Sequence, residues 1–244
     1  MSRRDDLRRF YSILDELRER LGGFRCLREC HGRQQWPSHG VYFFFEGGEV
    51  QSSSGTGLRV VRVGTHALAS GGSASLWSRL SAHRGSADGS TGHHRGSIFR
   101  LLVGEALIRR DELHVASWGV GSSPGAAARK IGVTRESLKE AEDPIERAVS
   151  ATIGAMPVLW VRTDPPDHEL RATLERESLA LLSNHCREAL DPPSATWLGS
   201  MSSRRLVRES GLWNNDHVEK AHDPGFLDLL ERAVRRAGQV PVCV

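Results

Sequence analysis

Apolar positions along this 244-residue chain switch repeatedly between helical and strand periods. Between residues 3 and 21, Leu7, Phe10, Tyr11, Leu14, Leu17 and Leu21 share one stripe opposite a charged face, and Gly22 and Gly23 close the run. That spacing predicts an amphipathic helix packed on a core. Residues 24 to 39 lose the period, and Pro37 marks an entry turn. Val41 to Phe45 and Leu58 to Val63 are short runs rich in aromatic and β-branched residues, separated by a polar Gly/Ser segment. They predict an antiparallel hairpin on a long loop. Trp77, Leu80 and His83 return to helical spacing, with Ser73 or Ser75 as candidate cap.

A Gly/Ser/His loop from Arg84 to Arg95 follows, and Ser97 then precedes Ile98, Leu101, Leu102, Glu105 and Ile108 at helical spacing. Residues 111 to 140 are polar and Gly-rich, with modest helix signals, and Asp143-Pro144 predicts a helix start. The run Pro157 to Val161, bounded by Thr163-Asp164-Pro165-Pro166, predicts a third core strand. Asp167 caps a predicted helix that runs to about Asn184. Trp197 reads as buried, and residues 202 to 209 read as a basic helix. The stretch SGLWNNDHV predicts a turn exposing Trp213, Asn214, Asn215 and His217, and Asp223-Pro224 opens a closing amphipathic helix. The chain shows no internal repeat.

Composition narrows the class. A hydrophobic content of 39% supplies a core. No run approaches a membrane span, and the N-terminus carries charge where a signal peptide needs apolar residues, so a soluble, cytoplasmic protein is expected. Net charge is only +3, yet 30 of the 33 basic residues are Arg. A planar guanidinium fork suits phosphate better than an ammonium does, although a GC-rich genome also favours Arg. Cys26, Cys30, Cys186 and Cys243 form no paired C-x-x-C framework, and they read as reduced cysteines.

The chemistry concentrates in one unit. Tyr42 is on the first strand, Arg62 and Gly64 end the second, and Arg79 and His83 lie one turn apart on one helix face. The pattern G-V-Y, then V-R-V-G, then Arg79 with His83, resembles the GIY-YIG nuclease superfamily, most closely its restriction-endonuclease branch. The match covers residues 40 to 83, with a second piece near Glu175. The resemblance implies an α+β fold: a small three-stranded antiparallel sheet flanked by helices. Residues 40–190 would form the catalytic core with a helical insertion at about 84–156, and residues 1–39 and 191–244 would be helical extensions. It implies a metal-dependent endonuclease acting on DNA, taken as double-stranded, with Mg²⁺ or Mn²⁺ as cofactor. A second copy of the chain is a further candidate partner.

Phosphodiester hydrolysis needs an activated water, stabilised phosphoryl charge and help for the leaving oxygen. Three glutamates lie on the helix after Asp167, and spacing does not choose between Glu175 and Glu177. The resemblance points to Glu175 as metal ligand, because the family's Glu precedes a large apolar residue by four positions, here Leu179. Arg79 would clamp phosphoryl oxygens. The family uses tyrosine as base, and Tyr42 matches the first one. A free phenol ionises near pH 10, so it needs neighbouring cations. The family's second Tyr is Arg62 here, which therefore orients phosphate or favours the Tyr42 phenolate. His66 is an alternative base or positioning donor, and His83 would hold the nucleophile's hydrogen-bond network or touch phosphate. Candidate nucleic-acid contacts are His94 and Arg95 in the loop after the helix, Asn184, Arg204 and Arg205, and Asn214. Two rival readings remain on sequence grounds: a non-catalytic nucleic-acid-binding module on the same fold, and a structural or partner-binding protein.

Overall fold

The computed structural model describes residues 2–66, 75–163 and 167–237. In chain order the elements are α1 (Arg3–Arg20), β1 (Arg25–Cys26), β2 (Gly40–Val50), β3 (Leu58–Gly64), α2 (Leu76–Arg84), α3 (Ile98–Arg110), α4 (Pro124–Ile131), α5 (Arg135–Ala155), β4 (Pro157–Arg162), α6 (His168–Leu182), α7 (Arg205–Ser210) and α8 (Phe226–Ala237). Candidate residues Ser73, Asp164 to Pro166 and Cys243 lie outside the described residues.

The sheet is antiparallel with order β1-β4-β2-β3. It has four strands rather than the expected three. The extra one, β1, is two residues long, too short for any period to reveal. Alternation along the strands divides the apolar residues between two cores. Val41, Phe43, Phe45, Val60, Val63, Leu159 and Val161 face a layer made of α1, α6 and α8. Tyr42, Phe44, Val61, Val158 and Trp160 face α2, α3 and α5. A strand covered by helices on both sides needs no polar face, which is why residues 157–161 read as one unbroken apolar run. Residues 1–39 and 191–244 contribute to the same two cores as 40–190, through α1 and α8 on one side and Trp197 and Trp213 on the other.

One irregularity matters for the site. Phe44 pairs with Arg62, but Phe45 pairs with Val60, so β3 carries one extra residue there. This bulge leaves Val61 and Arg62 on the same side of the sheet. The Val60 N–H donates to the Tyr11 hydroxyl of α1 at 3.1 Å.

Two local expectations need correction. The helix expected to start at Asp143-Pro144 begins at Arg135, capped by the Thr134 side chain, and Pro144 lies inside it. Pro144 is exposed, so water can satisfy the carbonyl that loses its donor, while Leu138, Ile145, Val149 and Ile153 bury the opposite face. Trp213, expected to be exposed on a turn, is fully buried. Its N–H donates to the Val61 carbonyl at 2.7 Å, and Asn214 bonds both the N–H (3.2 Å) and the C=O (2.9 Å) of Val63. The C-terminal segment thus covers the free edge of β3 and satisfies its open backbone groups. No described helix is long and apolar enough to cross a membrane.

Candidate active site

A cleft of about 570 Å³ opens where β3, α2 and α6 meet the segment covering the sheet edge. Arg62, Thr65 and His66 line it from the end of β3, Arg79 from α2, Glu175 from α6, and Asn214 to His217 from the C-terminal segment. Cationic and imidazole groups thus surround the Glu175 and Asp216 carboxyls. His217 holds a left-handed φ of 65°, a cost for a non-glycine residue that its surroundings must enforce.

Each candidate is positioned by its local sequence. Ser75 caps α2 by accepting from the Ser78 N–H, so the helix begins where Arg79 and His83 fall one turn apart. Arg62 pairs with Phe44 and alternates with Val63, so it faces the α2, α3 and α5 layer and not the α1, α6 and α8 layer. There it is buried over the Phe99 ring, 4.7 Å from its centroid, and donates to the Trp213 carbonyl. Burial pulls the Arg62 guanidinium below its ordinary value, and Arg79 adds to this, while Tyr42 and Glu175 oppose it.

Tyr42 is buried behind the cleft wall. Its hydroxyl lies 2.8 Å from Nε2 of His83, and Nδ1 of His83 lies 2.7 Å from Ser97 Oγ. Gly64 makes this possible: a Cβ there would stand 2.3 Å from the Tyr42 hydroxyl oxygen. His83 is fully buried, and burial together with Arg62, Arg79 and Arg100 keeps its imidazole well below the ordinary value. His66 lines the cleft with Nε2 2.9 Å from the Ser38 carbonyl. A carbonyl only accepts, so Nε2 carries the hydrogen and Nδ1 bears a basic lone pair. Neither that Nδ1 nor the Nε atoms of Arg62 and Arg79 has a hydrogen-bond partner among the described residues. Burial also lowers the His66 imidazole. Two guanidinium Nε donors without a partner thus lie at a cleft that also holds the Glu175 and Asp216 carboxyls.

Of the two candidate glutamates, Glu175 lines the cleft. Burial pushes its carboxyl up, while Arg62, the Thr65 N–H and Arg79 pull it back. Glu177 lies elsewhere, bonded to Arg176 Nε at 2.7 Å and to the Asp223 N–H at 2.8 Å. Among the described residues no three His, Cys, Asp or Glu side chains converge as a metal cluster.

The structure turns several candidate nucleic-acid residues away from the cleft. His94 is buried, stacked on Trp118 and bonded to Glu146 at 2.8 Å. Arg95 makes a two-pronged pair with Glu142 at 2.8 and 2.7 Å. A charged side chain this buried must be paired, and the acidic partners on α5 supply that. Asn184 accepts from the Leu190 N–H and closes the loop after α6. Arg204 and Arg205 are exposed and face Glu105 and Glu209. Asn214 does line the cleft. Sequence reading missed Asp216 as a cleft residue, and no local signal marks it, because its neighbours in the cleft are distant in sequence.

A family model described as GIY-YIG domain matches residues 1–240. No curated protein matches the chain, and no solved structure matches it.

Proposed function

The chain belongs to the GIY-YIG domain family, and we propose that it is an endonuclease hydrolysing DNA phosphodiester bonds with a divalent ion, Mg²⁺ or Mn²⁺, held by Glu175. The observation that carries this reading is the single cleft gathering Glu175, Arg62, Arg79 and His66 around unpaired guanidinium and imidazole nitrogens. Glu175 fits a magnesium ion: it is one oxygen-bearing carboxylate in a cleft roomy enough for the ion's waters and a phosphate. Such an ion would supply Lewis-acid stabilisation of the phosphoryl oxygens. Arg79 offers a bidentate clamp for the same oxygens. Arg62 orients the phosphate, and Tyr42, with His83 Nε2 as its hydrogen-bond partner, takes the proton of the attacking water.

A second assignment of the base has its own support. His66 stands in the cleft with Nδ1 unprotonated, whereas Tyr42 is buried behind it. The Arg79–His83 spacing favours a restriction-like role, with double-stranded DNA as substrate. A non-catalytic DNA-binding protein on this fold is the rival.

Plasmid DNA incubated with Mg²⁺, Mn²⁺ or EDTA tests the reading. Nicking that needs the ion and disappears in Glu175→Gln, with DNA binding retained, is expected. Salt-sensitive binding without any nicking would leave only the non-catalytic reading.

A further inference from the structure

Ser97 stands where two hydrogen-bond systems meet. It caps α3, its Oγ accepting from the Arg100 N–H at 3.2 Å. The same Oγ lies 2.7 Å from Nδ1 of His83, whose Nε2 lies 2.8 Å from the Tyr42 hydroxyl. All three side chains are buried. Arg100 Nη1 also donates to the His83 carbonyl at 3.0 Å, so the first turn of α3 holds both the ring and the main chain of His83. The rings of Tyr42, Phe44 and Phe99 meet the His83 ring at 70° to 79°, a slot that restricts its rotation.

Donor bookkeeping sets the direction of the chain. Arginine only donates. Arg62 acts on the Tyr42 oxygen as a nearby cation and offers its proton no acceptor, and the hydrogen bond that the Tyr42 hydroxyl makes among the described residues is to His83 Nε2 at 2.8 Å. The Tyr42 proton is then directed to its nearest acceptor, His83 Nε2, which requires the ring hydrogen on Nδ1. Ser97 Oγ has two lone pairs, and they match two donors: the Arg100 N–H and the His83 Nδ1–H. We propose, on the endonuclease reading above, that Ser97 is a positioning residue which holds His83 in its Nδ1–H form and so keeps the Nε2 lone pair on the Tyr42 hydroxyl. One hydroxyl thereby couples the start of α3 to the tyrosine on β2.

The groups facing His83 are Tyr42 from β2, Arg62 from β3, Arg79 on its own helix and Arg100 from α3, with Glu146 of α5 behind Arg100. Three cations around a buried imidazole keep it neutral, so the two neutral tautomers are the relevant states.

The test is nitrogen-15 NMR of the histidine side chains in the full chain, without metal or DNA. Nδ1 of His83 should read as protonated and Nε2 as bare. In Ser97→Ala that preference should be lost, kcat for DNA cleavage should fall at least tenfold with KM little changed, and Ser97→Thr should restore both. Ser97→Asp keeps a good helix cap but places a carboxylate at Nδ1. It should fold as well as wild type, raise the His83 titration and move the acid limb of the pH–rate profile upward. An Nε2–H tautomer in the wild type overturns the proposal. So does a Ser97→Ala protein whose only change is a lower melting temperature, for that is the signature of a cap alone. The tautomer is read without turnover, so a chain that fails to cut DNA would refute the endonuclease reading and not this one.

Discussion

Replacing Glu146 by Gln probes the buried ion pair on which the His83 helix is mounted. Glu146 accepts from Arg100 Nε at 3.0 Å and from its Nη2, and from the His94 N–H and Nδ1 at 2.7 and 2.8 Å. Both charged side chains are buried. Burial alone would push the Glu146 carboxyl up, but the bonds from His94 and Arg100 outweigh it and hold the group at about 2. The fall from an ordinary 4.5 to about 2 corresponds to roughly 3 kcal/mol at ~1.4 kcal/mol per pH unit. Breaking a buried pair by removing one partner costs about 3–5 kcal/mol, a separate route to the same size. For a chain of this length that lowers the melting temperature by roughly 6–12 °C. The sign is that of a depressed carboxylate: its stabilisation is present above pH 4.5 and drains away as pH falls toward 2. Denaturant titrations of wild type and Glu146→Gln across that window measure both effects, and the variant should show the flatter acid limb. Pairing Glu146→Leu with Arg100→Met should recover much of the loss, because no unpaired charge remains. A loss under about 1 kcal/mol in the single variant, or an unchanged acid limb, would refute the account of this pair.

Two further outcomes concern the cleft. Arg79→Lys should be nearly as damaging to cleavage as Arg79→Ala, since a point charge does not reproduce two parallel hydrogen bonds; a Lys variant keeping more than a tenth of the rate, a loss of only ~1.4 kcal/mol, contradicts the bidentate role. In single-turnover pH–rate profiles, Tyr42→Phe should remove nearly all activity while His66→Ala leaves most of it. The reverse pattern makes His66 the base, and since burial lowers its imidazole, the acid limb would then lie below the ordinary histidine value.

The hairpin, the helix after it and the strand at residues 157–161 were legible because their signals are local: period, cap and turn residues lie within a few positions of each other. Tyr42, Gly64, Arg79 and His83 were readable as one unit for the same reason. The direction of Arg62 was not. Alternation with Val63 fixes only which face it takes, and that this face meets the Phe99 ring of α3 and the Trp213 carbonyl is set by packing across the chain. Nor did helical spacing separate Glu175 from Glu177, two residues apart on α6. Only the packing of that helix decides which carboxyl meets the cleft and which meets Arg176 and the Asp223 N–H. His94 and Arg95 look like solvated basic residues in sequence, yet acidic partners about fifty positions away on α5 draw them inside. Asp216 and His217 reach the cleft because Trp213 and Asn214 satisfy the open edge of β3, some 150 residues earlier in the chain. A hydrophobic pattern reports how each segment meets its own neighbours. Which distant segments answer a free sheet edge or a buried charge is settled by satisfying those groups in three dimensions, and in this protein that is how the cleft is assembled.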